Sequence, residues 1–169
     1  MSYRLILPSI EIKEQFIDYV NEWKDEVMVP SSCDLRGKSF EKWLKQNIAY
    51  RYEAYVPSFM VSATTFLLVN DNNYIIGAID FRHRLNDSLR MLGGHIGYGI
   101  RPSKRGQGYA KIMLKMLLDL IKQKGYQRVM ISCLKSNEPS RRTILSQGGF
   151  LENEIVYKDE VYQRFWIYL

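Results

Sequence analysis

The sequence predicts a mixed α/β fold: a mostly antiparallel central sheet of about seven strands, one parallel neighbouring pair within it, and helices on both faces. Three observations predict it. Short β-type runs separated by turn residues fill the middle of the chain, so those strands are antiparallel neighbours. Two amphipathic runs precede them and two follow. The stretch from His95 to Leu134 reads strand, glycine-bearing loop, helix, strand, and such a unit sets two strands parallel.

The elements follow in order. "YRLIL" alternates weakly and reads as a first strand. From Ile10 to about Lys24, the apolar residues Ile12, Phe16, Tyr19, Val20 and Trp23 recur at helical spacing. "PSSCDLRGKS" is turn-rich. Ser39 is an N-cap candidate for "FEKWLKQNIAYRYE", a helix with Phe40, Trp43, Leu44 and Ile48 on one side. "YVPSFMVSATT" reads as a loop, "TFLLV" as a strand, "NDNN" as a turn and "YIIGAIDFRHRL" as the next strand. "NDSLRMLGG" turns the chain into "HIGYGI", a strand rich in glycine. Ala110, Met113, Leu114, Leu117 and Ile121 then share one helix face, and Gly125 stops that helix. "RVMISCL" is a near-continuous apolar run, as in a strand buried on both faces. "EPSRRTILSQGG" is a short helix with Pro139 in its first turn and a glycine stop. "FLENEIVY" and "YQRFWIYL" read as a closing antiparallel pair.

Length suits one domain spanning 1–169, large enough to bury a core without staples. Cys33 and Cys133 lie far apart and are expected to be reduced thiols. With only His83 and His95 beside them, no metal site is expected. The N-terminus lacks a signal-peptide layout, and the most apolar stretch, "IMLKMLLDLI", is too short for a bilayer. A soluble, cytoplasmic protein with no membrane partner is the expectation. The formal charge of +6, from 24 Lys and Arg against 18 Asp and Glu, favours anionic partners. The cations gather in "RPSKR" and "SRR" rather than along a stripe, which suits small phosphate sites. No recognition helix or RNP-like aromatic strand appears, so no nucleic-acid partner is expected.

The loop "IRPSKRGQGYA" carries the strongest chemical signal. Ile100 ends a strand and Ala110 lies in a first helical turn, so the backbone must turn sharply between them. Gly106 and Gly108 permit that turn and a close approach to the main chain. Free N–H groups at a helix start favour an anion such as a phosphate, and Arg101, Lys104 and Arg105 add positive charge. A Walker A loop would need Gly-Lys-Ser/Thr, which is absent, and the spacing of a dinucleotide fingerprint also fails. What remains is Arg-x-x-Gly-x-Ala: Arg105, Gly108, Ala110.

"RGQGYA" resembles the pyrophosphate loop of the GNAT superfamily, acyl-CoA-dependent N-acetyltransferases. The stretch "SNEPSRRTILSQGGF" is similar to that family's Asn-x-x-Ala/Ser helix, and the strand order matches from first to last. "GGHIGYGIRPSKRGQGYAK" looks like a bacterial branch of predicted acetyltransferases. The resemblance covers nearly the whole chain and is most specific from Gly93 to Phe150.

The resemblance implies the acyl-CoA N-acyltransferase fold with its parallel pair splayed, acetyl-CoA as acetyl donor, no metal, and an amine acceptor attacking directly through a tetrahedral intermediate. It assigns the pyrophosphate to backbone N–H groups of Arg105, Gly106, Gln107, Gly108, Tyr109 and Ala110. It lays the pantetheine arm between "HIGYGI" and "RVMISCL", beside Tyr98, Gly99 and Ile100, with Gly97 and Gly99 keeping the gap open. Asn137 matches the asparagine that binds this arm, although an asparagine there also suits a helix cap. Arg141 and Arg142 are candidates for the CoA phosphates. The family's usual tyrosine is replaced by Ile144, so Ser140 is the nearest hydroxyl for the departing thiolate; serine at this spacing resembles the ribosomal-protein branch. The glutamate often found before the loop is missing. His95 is then the first candidate base, with Tyr98, His83 and Asp80 behind it. The region from Trp23 to Phe59, rich in aromatics, would wall the acceptor site, and "RHRLND" would face it. A second copy of the chain is a candidate partner through the closing strand pair. The missing tyrosine and carboxylate keep a second reading open: a catalytically silent CoA-binding or sensing module.

Overall fold

The computed structural model describes residues 1–169. Seven strands and four α-helices form: β1 (Tyr3–Ile6), α1 (Lys13–Glu22), α2 (Phe40–Ala49), β2 (Ala63–Asn70), β3 (Ile75–Arg82), β4 (Ile96–Ile100), α3 (Tyr109–Gln123), β5 (Arg128–Leu134), α4 (Glu138–Ser146), β6 (Phe150–Tyr157) and β7 (Glu160–Tyr168). The first helix starts later than its periodicity suggests, because Ile10–Ile12 wind as a tighter 3-10 turn. Ser39 caps α2 as expected, its hydroxyl accepting the Lys42 N–H at 3.3 Å. That helix stops at Ala49 rather than running on to Glu53. The reason is local competition: the Tyr50 carbonyl accepts the Ala63 N–H at 3.0 Å where the chain enters β2.

Period-two alternation in β2 builds two cores at once. Leu67 and Val69 join Phe16, Tyr19, Trp23, Phe40 and Trp43 under α1 and α2. Leu68 turns to the opposite face and joins Met113, Leu114, Leu117 and Ile121 of α3. Helices therefore cover both faces, as predicted.

Every ladder is antiparallel, and the strands divide into two sheets, β1-β2-β3-β4 and β5-β7-β6. The expected splay between β4 and β5 is large enough that they share no ladder. They meet at one end only: His95 N–H donates to the Met130 carbonyl at 2.7 Å, beside a bridge between Gly94 and Ile131. Gly94 takes φ 65°, and a Cβ there would meet the Met130 oxygen at 2.5 Å. Glycine is required at that junction. Beyond it the strands diverge, and the gap between them is the centre of the candidate site.

Arg101, which follows β4, is 1% exposed. It binds Asp18 at 2.7 Å and Glu22 at 2.8 Å on α1, and donates to the Ile75 carbonyl at 3.0 Å. Its guanidinium lies 4.2 Å from the Tyr74 ring centroid. It is a tie between helix and sheet rather than the phosphate cation its sequence neighbours suggest.

Candidate functional site

The loop before α3 has the form an anion needs. Gly106 and Gly108 take φ 72° and 83°, and no atom lies within 4 Å of a Cβ built on either. The N–H groups of Gly106, Gln107, Gly108, Tyr109 and Ala110 find no acceptor in the protein; the first helical bond runs from Ile112 N–H to the Gly108 carbonyl. Five free donors at the start of a 15-residue helix concentrate positive potential there. Arg105 is a different case. Its N–H closes a turn onto Pro102, and its guanidinium donates to the Ile100 carbonyl at 3.1 Å, pairs with Glu26 at 2.8 Å and lies over Trp23. It shapes the loop from behind.

β4 presents alternate main-chain groups to the gap. Arg82 N–H donates to the His95 carbonyl, and Arg101 N–H donates to that of Ile76. Odd-numbered residues of β4 therefore face β3, and the main-chain groups of Ile96, Tyr98 and Ile100 face the gap. This corrects two expectations. Gly99 does not offer its N–H to the gap. Nor do Gly97 and Gly99 make room for a ligand: a Cβ on Gly97 would meet the Arg82 guanidinium at 3.0 Å, and one on Gly99 would strike the Val29 carbonyl and Trp23. The glycines admit neighbouring protein.

Across the gap, α4 brings three groups together. Asn137 caps the helix, its Oδ1 accepting the Ser140 N–H at 3.3 Å, which leaves its Nδ2 free to donate. Ser140 Oγ lies 2.9 Å from Tyr98 Oη. Burial pushes the Tyr98 phenol up to about 12, so it is a proton donor at neutral pH and not a base. Burial also raises the neighbouring Cys133 thiol, which Ser140 contacts. Ile144, at the expected tyrosine position, is fully buried in the core. The phenol that meets Ser140 belongs to Tyr98 of β4. Arg142 is exposed and holds Glu138 at 3.0 Å, as Arg141 does at 3.7 Å.

His95 sits poorly for the role of base. It is 9% exposed, and its Nδ1 accepts the Met130 N–H at 2.9 Å. Burial, with Arg82 and Arg128 nearby, lowers its pKa to about 4. His83 is also engaged at both nitrogens, by Ser62 and Thr64 hydroxyls at 2.9 and 2.7 Å.

On the other face of β3 lies a cavity of about 390 Å³, walled by α2, the 31–38 segment, Phe59–Val61 and Asn86. Of the aromatics expected around an acceptor, Trp43, Tyr50 and Phe59 line it, while Trp23 and Phe40 belong to the core. Of "RHRLND", Arg82 and Asn86 line it, whereas Arg84 pairs with Glu53. At its floor Asp80 accepts from Thr65 at 2.9 Å and pairs with Arg82 at 3.2 Å. The sequence signal for this floor is a lone carboxylate inside the apolar run "YIIGAIDF".

No group of His, Cys, Asp and Glu is arranged to hold a metal ion, and no helix is long and apolar enough to cross a membrane. Residues 4–149 match the family model described as acetyltransferase (GNAT) domain. No curated protein matches the chain. Among solved structures, the ribosomal-protein-S5-alanine acetyltransferase of Vibrio fischeri is 17% identical, with 99% of this chain and 93% of that one aligned and a TM-score of 0.73. An acetyltransferase from Salmonella typhimurium that modifies the N-terminal serine of a 50S ribosomal subunit protein is 17% identical, over 100% and 96%, at 0.71. The microcin C7 self-immunity acetyltransferase, solved with acetyl-CoA and AMP, is 17% identical over 99% and 92%, at 0.72. These likenesses are of fold.

Proposed function

The chain belongs to the GNAT acetyltransferase domain family, and from that premise we propose that it transfers an acetyl group from acetyl-CoA to a primary amine. The observation that carries this reading is the row of five unpaired N–H groups before α3. They suit a pyrophosphate, and the open space above Gly106 and Gly108 suits its close approach.

The chain's own groups divide the work. Main-chain groups of Tyr98 and Ile100 and the free Nδ2 of Asn137 suit the amides of a pantetheine arm. Acetyl-CoA supplies the activated thioester. The Tyr98–Ser140 hydroxyl pair, 2.9 Å apart, is placed to deliver a proton to the departing thiolate. His95 is not assigned as base; the acceptor ammonium gives up one proton to solvent water, and the neutral amine then attacks. We read the chain as a single cytoplasmic domain and as bacterial; the bacterial sources of its structural neighbours support the last of these. Exposed Phe150, Leu151 and Val156 on the outer strand β6 suit a second copy.

Calorimetric titration with acetyl-CoA tests the cofactor site. Wild type should bind in the micromolar range. Gly108→Glu, which puts an anion into the cradle, should not, while Gly108→Asn tolerates the same left-handed backbone and should bind. No binding by folded wild type would withdraw the reading. Tyr98→Phe should bind acetyl-CoA normally yet lose ten- to hundredfold in kcat. A silent CoA-binding module would bind equally well and turn over no amine.

A further inference from the structure

We propose that the cavity beside β3 is the acceptor site, that Asp80 holds the acceptor's ammonium there, and that the acceptor is a compact zwitterion, an amino acid or dipeptide, whose carboxylate meets Arg36. This rests on the acetyltransferase reading and names the substrate class for it.

Position comes first. Asp80 stands opposite Gly97 in the β3–β4 register. Tyr98, the next residue, turns its main chain to the gap where the thioester would lie. The cavity floor is therefore one strand away from the reacting centre, with the Arg82 guanidinium in the space beside Gly97.

Charge comes second. Asp80 is the only carboxylate among the buried residues, at 5% exposure. An ionised carboxylate offers about four lone-pair sites. Thr65 takes one at 2.9 Å and Arg82 Nε takes another at 3.2 Å. Arg82 cannot swing across to cover the rest, because its Nη1 donates to the Gly93 and Gly94 carbonyls at 3.2 and 3.4 Å. Asp80 keeps acceptor capacity directed at the cavity.

A second, independent acceptor waits beside it. Asn47 Nδ2 donates to Thr65 Oγ1 at 3.1 Å, and the Thr65 hydroxyl donates in turn to Asp80 Oδ1. That direction fixes the Asn47 amide and turns its Oδ1 free. This oxygen is buried and has no partner, and Asn47 is among the residues that line the cavity. One orphaned acceptor beside a carboxylate with spare lone pairs calls for a donor with several N–H groups. An ammonium meets that demand; a carboxylate or phosphate would be repelled.

The mouth has the opposite character. Arg36 is exposed and lines the cavity, and no carboxylate pairs with its guanidinium; Asp34 accepts only the Arg36 backbone N–H, at 2.9 Å. A cationic floor-seeking group and an anionic mouth-seeking group together describe a zwitterion. A volume of about 390 Å³ lies near the small end of ligand sites and restricts its size.

The test titrates the acetyl-CoA-saturated protein with four probes: alanyl-alanine, its C-terminal amide, putrescine, and N-acetyl-alanyl-alanine, which has no ammonium. Alanyl-alanine should bind, the amide at least fivefold more weakly, and the acetylated peptide not detectably. Asp80→Asn should weaken alanyl-alanine at least tenfold while its own acetyl-CoA affinity stays at the wild-type value. Arg36→Ala, an exposed change that leaves the core intact, should bring the dipeptide down to the affinity of its amide. Equal binding of dipeptide and amide overturns the zwitterion, as does tighter binding of putrescine. Binding of no probe overturns the assignment. If acetyl-CoA itself fails to bind, the acetyltransferase reading fails first.

Discussion

His95 shows how residue type and residue role separate. By sequence it stands where the family often has a carboxylate, and its ordinary pKa suits a base. In the fold its ring is packed between Phe81 and Trp166 and accepts a backbone N–H. That burial has a measurable consequence. The folded pKa is about 4, against about 6.5 for an unfolded histidine. As pH falls through 6.5 the unfolded chain gains a proton and the folded one does not. Stability is therefore full above pH 6.5, falls between 6.5 and 4, and levels off below. The loss from this one group is on the order of 3 kcal/mol. His83, lowered by burial, adds to it with the same sign. Glu53, held at about 2 chiefly by Arg84, loses its contribution from its ordinary value of 4.5 downward, so it overlaps only the lower end of this window and cancels between wild type and a His95 variant. Urea midpoints of wild type and His95→Asn at pH 7 and 4.5 measure the effect; asparagine can still accept the Met130 N–H. An unchanged pH slope in the variant would remove His95 as the cause. The glycines of β4 teach the same lesson. Their spacing was visible in sequence, but whether Arg82 or a ligand fills the space beside Gly97 depends on a contact no local pattern encodes.

At the level of elements, most of the chain was legible because its signals were local. Ser39 announces α2, Gly125 ends α3, and alternation in β2 assigns two faces. What failed was long-range. The cluster "RPSKR" reads as cations around one anion, yet each goes its own way. Lys104 lies 5.6 Å from the Tyr74 ring centroid, Arg105 turns back to Glu26, and Arg101 reaches α1, 83 residues earlier in the chain. Only the loop's main chain remains for the anion. Arg101→Met should then act on stability before binding. It leaves Glu22 and the Ile75 carbonyl without their buried partner, a loss of roughly 3 kcal/mol. Thermal unfolding should drop by about 6–12 °C. Arg105→Ala, at a half-exposed side chain, should shift it little. Equal shifts in both variants would show that Arg101 is not the tie between α1 and the sheet.

The whole molecule is two half-sheets hinged at one end. Beyond the bond from His95 to Met130, no ladder joins β4 to β5; the cores under α3 and α4 hold the halves together. Sequence pattern predicted the two strands, and the family resemblance predicted the splay between them. It could not predict that the ladder would be lost altogether, since that depends on Gly94 turning the chain and on how the two half-sheets pack. A donor laid along the gap would supply the missing edge pairing for Tyr98 and Ile100, while its pyrophosphate tied the start of α3. Binding of that kind adds to the native state alone. At a hundredfold excess over Kd it stabilises by about 2.7 kcal/mol, which for a chain of this length raises the unfolding temperature by about 5–10 °C. The location of the effect separates bridging from mere docking at the cradle. If acetyl-CoA spans the gap, hydrogen exchange should slow at the Tyr98 and Ile100 amides as well as at Gly106 to Ala110. If only the loop amides slow, the pyrophosphate binds but the arm does not enter. The thioester would then lie away from Ser140 and Tyr98, and the proton-donor role assigned to that pair would fall while the cofactor site stood.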